Sequence, residues 1–199
     1  RTTHLGVGAH QDDLEVMALH GILACYKQPN AWFGGVTVTN GAGSSRANEY
    51  ADYTDEQMQA VRAEEQRKAS VVGEYSFIAQ LDYPSSAVKQ PSNIDYAADL
   101  RTIFAATKPN VVYTHNLADK HDTHVAVSVP LIQVLRELPT DDRPEEVYGV
   151  EVWRDLNWMP DQEKVLLNLP NRPNLVRALI SIFDSQISGG KRYDLALEG

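Results

Sequence analysis

The chain has 199 residues, enough for one α/β domain whose core needs no disulfide support. Lys plus Arg number 18 against 27 Asp plus Glu, a net charge of −9 that argues against sequence-independent nucleic-acid binding, which relies on clustered cations. The single cysteine, Cys25, excludes a disulfide framework, and no apolar run approaches the roughly 20 residues of a membrane-spanning helix.

The chain opens at Arg1-Thr2-Thr3-His4, with neither an initiator Met nor a signal-peptide pattern. A trimmed product is expected, with the cytoplasm as the default compartment. Leu5 to Ala9 read as a first strand ending at His10. From Asp13, Leu14, Met17, Ala18, Ile22 and Cys25 recur at helical spacing, and Asp12 and Asp13 stand where a carboxylate can cap free N–H groups. Residues 33–39 form a second strand closed by the loop Asn40-Gly41-Ala42-Gly43-Ser44-Ser45. Met58, Val61, Ala69 and Val72 predict a long helix stopping at Gly73, followed by a strand around Phe77 and Ile78. Ile94, Leu100, Ile103 and Phe104 predict another helix, and 109–115 the next strand. Val125, Leu131, Val134 and Leu135 belong to a helix that Pro130 is expected to kink or split. Val147 to Trp153 reads as strand, and Pro173 opens a last helix through Leu175, Leu179 and Ile182. This alternation predicts a three-layer α/β sandwich with a mostly parallel sheet, one domain over residues 1–199.

In such sheets ligands bind at the carboxyl ends of the strands. Two strand ends are rich in metal ligands. The first runs into His10-Gln11-Asp12-Asp13-Leu14-Glu15. The second, after Val111 and Val112, carries His115, Asp119, His121 and His124, three of the chain's six histidines. Imidazole and carboxylate suit zinc, and three protein ligands leave a position for water. A tight strand-to-helix turn aims His10 and Asp13 at one point, with Asp12 facing the open position and His124 completing the set. Asp12 and His121 then have the right types for a base and an electrophilic stabiliser.

The two clusters carry a resemblance. His10-Gln11-Asp12-Asp13-Leu14-Glu15 resembles the AHPDDxE signature of the LmbE-like, or PIG-L, deacetylase family. His121-Asp122-Thr123-His124, with Asp119 upstream, resembles its later HPDH element, and Ser185-Gln186 a Ser-Gln pair common in the family. Gln11 replaces the usual proline, and Asp122-Thr123 replaces Pro-Asp; neither change removes a ligand. The resemblance implies a Rossmann-like fold, Zn2+ held by His10, Asp13 and His124, and removal of an acetyl group from an N-acetylglucosamine-type sugar or glycoconjugate. Asp12 would be the general base, a role typically worth about 10²–10⁴-fold. His121, if protonated, would stabilise the oxyanion. Glu15 is placed as support behind the site.

Blander readings stand beside these. Arg62-Ala63-Glu64-Glu65 is similar to a family Arg-x-x-Glu helix whose Arg reaches substrate, but equally reads as a solvated charged face. Gly41-Ala42-Gly43 lacks a dinucleotide fingerprint; its expected use is close backbone approach to ligand, with Arg46 as a contact. Trp153 and Trp158 either stack on a sugar or pack in the core. His115 is expected to make a strand-end hydrogen bond, and His4 and His20 to be structural or exposed. Two rival functions remain: another metal-dependent amidase or esterase, and a non-catalytic carbohydrate- or metal-binding module. Iron, cobalt or manganese would also suit the ligand set, and a homo-oligomer stays open.

Overall fold

Strand and helix alternate from the first residues onward. Strands β1 (His4–Gly8), β2 (Phe33–Thr39), β3 (Phe77–Tyr83), β4 (Val111–His115) and β5 (Glu146–Val150) form a sheet in the order β3-β2-β1-β4-β5. The helices are α1 (Asp13–Met17), α2 (Leu19–Cys25), α3 (Asp55–Val72), α4 (Ser85–Val88), α5 (Tyr96–Thr107), α6 (Asp122–Glu137), α7 (Pro173–Ser181), α8 (Asp184–Ile187) and α9 (Tyr193–Ala196). The computed structural model describes residues 2–90 and 96–196, and within them every neighbouring strand pair is parallel. β1 is the central strand: Leu5 pairs with Gly34 on one side and Val112 on the other.

Side-chain alternation divides the core between the two faces of the sheet. Leu5, Val7, Val36, Val38 and Val112 pack under α5 and α6, against Leu100, Phe104, Leu131 and Val134. On the other face Leu14, Met17, Ile22 and Phe33 pack with Tyr113 and with Leu179 of α7. Each such side chain, fully buried, contributes about 1.5–3 kcal/mol. Gly6 faces this second layer because α1 lies close: a Cβ there would stand 3.0 Å from both Leu14 Cδ2 and Phe33 Cζ.

Three details differ from the sequence-based expectation. The first helix breaks at Ala18 (φ −107°) into α1 and α2, although both keep the same buried face. Pro130 lies inside an unbroken α6. Proline has no N–H to give the carbonyl of Ala126 one turn earlier, and the Tyr96 hydroxyl donates to that oxygen instead. β5 ends at Val150 rather than running to Trp153, because the Glu151 carboxylate is buried and draws the following residues into a turn. Ile94, expected in α5, lies outside the described residues.

Candidate metal centre and active site

The chain leaves β1 towards β2 on one side, while β4 lies on its other side. A crevice opens at such a switch point beyond the strand ends, and the segments after β1 and β4 both enter it. They bring His10, Asp13 and His124 together, with one candidate ligand atom from each residue all within 4.8 Å of one another. Asp13 Oδ2 lies 3.3 Å from His10 Nδ1, and Asp13 Oδ1 lies 3.5 Å from His124 Nε2. Burial opposes the charge of Asp13, but His124 and His115 beside it, with the hydrogen bond from His10, hold its carboxyl well below the usual range. A second cluster of His115, Asp119 and His124 is equally tight. Each of its residues is already hydrogen-bonded, however. His124 Nδ1–H donates to Asp119 Oδ2 at 3.0 Å, and Asp119 also accepts from the His121 N–H at 2.8 Å. His115 Nε2 accepts the Ala9 N–H at 2.9 Å, the strand-end bond expected of it. This second cluster is support: it fixes the His124 tautomer and leaves Nε2 bare towards His10 and Asp13, as a metal-binding imidazole requires.

Asp12 adopts φ 98°, a left-handed conformation uncommon outside glycine. The carboxylates do not cap the helix as expected. Asp12, the N-cap of α1, makes no side-chain capping bond, and Asp13 Oδ2 instead accepts the His10 N–H at 2.6 Å. Asp12 Oδ2 accepts from Arg62 at 2.8 Å, and Tyr193, whose hydroxyl pKa is pushed up by burial and by the nearby Asp12 and Asp13, lines the same cavity.

α3 begins with a Thr54–Gln57 capping box and buries the stripe Met58, Arg62, Glu65, Gln66 and Ala69. That stripe has helical period but is polar in its middle, where it meets the site. Arg62 is 1% exposed, so neither it nor Glu65 belongs to a solvated face. Its guanidinium also donates to Glu65 at 2.7 Å and to the Gln11 carbonyl. Ser185, of the Ser-Gln pair, donates to Glu65 through its N–H (2.8 Å) and its hydroxyl (2.9 Å). Arg62 lines the cavity, yet Asp12 and Glu65 hold it there without any ligand.

Sequence reasoning passed over Gln66, whose signal was its place one turn beyond Arg62. Gln66 Oε1 accepts the Asp12 N–H at 3.2 Å, and its Nε2 donates to Glu15 Oε1 at 2.8 Å. The Tyr75 hydroxyl donates to the same Glu15 oxygen at 2.7 Å. Burial pushes the Glu15 carboxyl up to about 7.

His121 is the N-cap of α6, and its Nδ1 accepts the Thr123 N–H at 3.3 Å. Burial, with His124 and His10 nearby, pushes its pKa down to about 4. The imidazole is therefore neutral at pH 7, not the protonated group expected from the sequence. Arg46 lies apart from the cavity lining, paired with Asp55 and donating to the Ala42 carbonyl at 3.1 Å. Gly41 and Gly43 line the cavity, whose volume is about 430 Å³. Trp153 and Trp158 are 42% and 51% exposed, not core packing, and Trp153 lines the cavity.

This geometry coincides with a family match: residues 5–135 match the PIG-L family, described as GlcNAc-PI de-N-acetylase. The chain belongs to the PIG-L family. No curated protein matches it significantly. Among solved structures it is similar to the N,N'-diacetylchitobiose deacetylase of Pyrococcus horikoshii, with TM-score 0.71 and 15% identity over 96% of this chain and 73% of that one. It is similar to a 4-carboxy-2-hydroxymuconate hydratase from Pseudomonas putida, with TM-score 0.73 and 18% identity over 98% of this chain and 84% of that one. A deacetylase of the A40926 pseudoaglycone matches with TM-score 0.67 and 17% identity over 100% and 88%. PIG-L membership indicates a deacetylase, but the fold is shared with a hydratase, so the bond attacked has to be argued from the site. Among the described residues no helix is long and apolar enough to cross a membrane.

Proposed function

We propose that the chain is a zinc-dependent N-deacetylase that releases acetate from an N-acetylglucosamine-type sugar or glycoconjugate. The observation that carries this reading is the meeting of His10, Asp13 and His124 beside Asp12, a carboxylate outside the ligand set. Two imidazoles and one carboxylate fit a tetrahedral ion with an open fourth position. When bound, the ion supplies Lewis-acid polarisation of the amide carbonyl and acidifies water at neutral pH.

The chain's own groups do the rest. Asp12, held by Arg62, takes the proton of the attacking water and delivers it to the departing amine. His121, neutral and with Nδ1 occupied by the Thr123 N–H, keeps its proton on Nε2 and donates it as a hydrogen bond to the developing oxyanion. Arg62, with both terminal nitrogens engaged, positions Asp12; Arg46, paired with Asp55, contacts substrate only if that pair opens.

The test is an acetate-release screen of the metal-loaded protein over N-acetylated saccharides, other acyl amides and esters. Acetate is expected from the saccharides, with Asp12→Asn lowering turnover about 10²–10⁴-fold. Full activity in Asp12→Asn rejects the assigned base. Turnover of the other amides or esters alone moves the substrate elsewhere, and sugar binding without acetate at any metal loading leaves a binding module.

A further inference from the structure

The turn after β5 is built more elaborately than a connection needs. Glu151, 1% exposed, gathers the Arg154 guanidinium, the Leu156 N–H at 3.0 Å and the Trp158 indole N–H at 3.2 Å. A buried carboxylate with three donors fixes a loop firmly, since losing any one would leave charge poorly solvated. Asp155 (φ 50°) and Leu156 (φ 54°) are consecutive non-glycine residues in the left-handed region, where strain marks a conformation that the surroundings impose. The turn is also fastened to the metal centre. Val152 N–H donates to Asp119 Oδ2 at 3.4 Å, the oxygen that holds His124, and Arg154 donates to the Ala118 carbonyl at 2.9 Å.

What this turn displays is Trp153. The residue is 42% exposed, and it lines the same cavity as His10, Asp12 and His121. Lys120 Nζ stands 5.1 Å from the ring centroid but does not itself line the cavity, so the cation steadies the indole without filling the space before it. Trp153 thus presents a partly uncovered indole on a firmly held turn, in the lining of a cavity that also carries His10, Asp12 and His121. The C–H face of a pyranose matches such a surface, because an indole offers a broad, rigid, polarisable plane.

We infer that Trp153 is a stacking platform for a pyranose ring of the substrate and makes the site selective for sugar acetamides over acyclic ones. The ring is either the acetylated sugar or the sugar glycosidically joined to it. The kinetic arm of the test rests on the deacetylase reading; the binding arm does not.

Steady-state kinetics of the zinc-loaded wild type, Trp153→Leu and Trp153→Phe are compared on N-acetylglucosamine, N,N'-diacetylchitobiose and N-acetylethanolamine. Trp153→Leu should raise KM for sugar about tenfold with kcat unchanged, Trp153→Phe should recover most of the loss, and the acyclic amide should not respond. A KM change on both sugars assigns the acetylated ring, and one on the disaccharide alone assigns its neighbour. Unchanged KM on both sugars, or an equal loss on the acyclic amide, overturns the proposal. If no substrate is turned over, intrinsic fluorescence titrated with N,N'-diacetylchitobiose decides. A sugar-dependent change in the wild type that disappears in Trp153→Leu, where Trp32 and Trp158 still emit, supports the platform. No change in the wild type overturns it.

Discussion

Asp12 sits at φ 98° with its carboxylate on Arg62 and its peptide N–H on Gln66. A non-glycine residue in that region costs about 1–2 kcal/mol, so the hydrogen bond from Gln66 matters for where the carboxylate stands. Gln66→Leu should lower kcat about tenfold or more while metal content stays at the wild-type level, and should have no further effect in an Asp12→Asn background. Equal losses in both backgrounds would make Gln66 merely structural. Glu15, at the other end of that hydrogen-bond chain, gives a pH signature. Its folded carboxyl is raised to about 7 against an ordinary 4.5, so the folded protein holds a proton that the unfolded chain has released. The resulting stabilisation is present below about pH 4.5 and is lost as pH rises through 7. Glu15→Gln keeps an oxygen for Gln66 and Tyr75 and should therefore raise the thermal midpoint at pH 8, by up to about 3 kcal/mol in stability, with little gain at pH 5. A gain of the same size at both pH values would contradict the assignment. Cys25 tests burial: against a hydrogen bond with Thr3, burial pushes its thiol up to about 11, so the folded protein should resist iodoacetamide at pH 8 and take up one equivalent when unfolded.

At the scale of elements, the sequence period found strands and helices well and misjudged their ends. Leu14, Ile22 and Cys25 kept one face across the break at Ala18, so the pattern stayed readable while the break did not. The fate of Pro130 depended on Tyr96, and the end of β5 on donors gathered by Glu151, both contacts that no local window contains. Arg62 and Glu65 were ambiguous for the same reason: an i,i+3 ion pair looks alike on a wet face and in a buried stripe, and only partners far along the chain, Gln11, Asp12 and Ser185, distinguish them. The meeting of His10, Asp13 and His124 was more legible, because residue types able to hold a metal are themselves the signal. Packing between elements yields its own prediction at Gly21 of α2. A Cβ there would stand 2.5 Å from Tyr113 Cε2, a buried ring with no room to retreat. Gly21→Ala should cost about 1–3 kcal/mol in chemical denaturation. Gly43→Ala, with nothing within 4 Å of the added carbon, should leave stability unchanged.

For the molecule as a whole, strand order turns two distant sequence clusters into one centre. β4 pairs with β1 rather than with β3, so the residues following His115 arrive beside His10 instead of at a sheet edge. Helices on both faces fix those strand ends, and the support behind them differs in kind: Asp119 and His115 hold the imidazole side, Arg62 and Gln66 the carboxylate side. The most direct test of this convergence is metal stoichiometry, measured by elemental analysis after dialysis against zinc and then buffer. The wild type and Asp12→Asn should each retain one equivalent per chain, while His10→Ala and His124→Ala, folded by circular dichroism, should retain essentially none. One full equivalent in either histidine variant, or none in the wild type, would contradict a shared ion between the ends of β1 and β4.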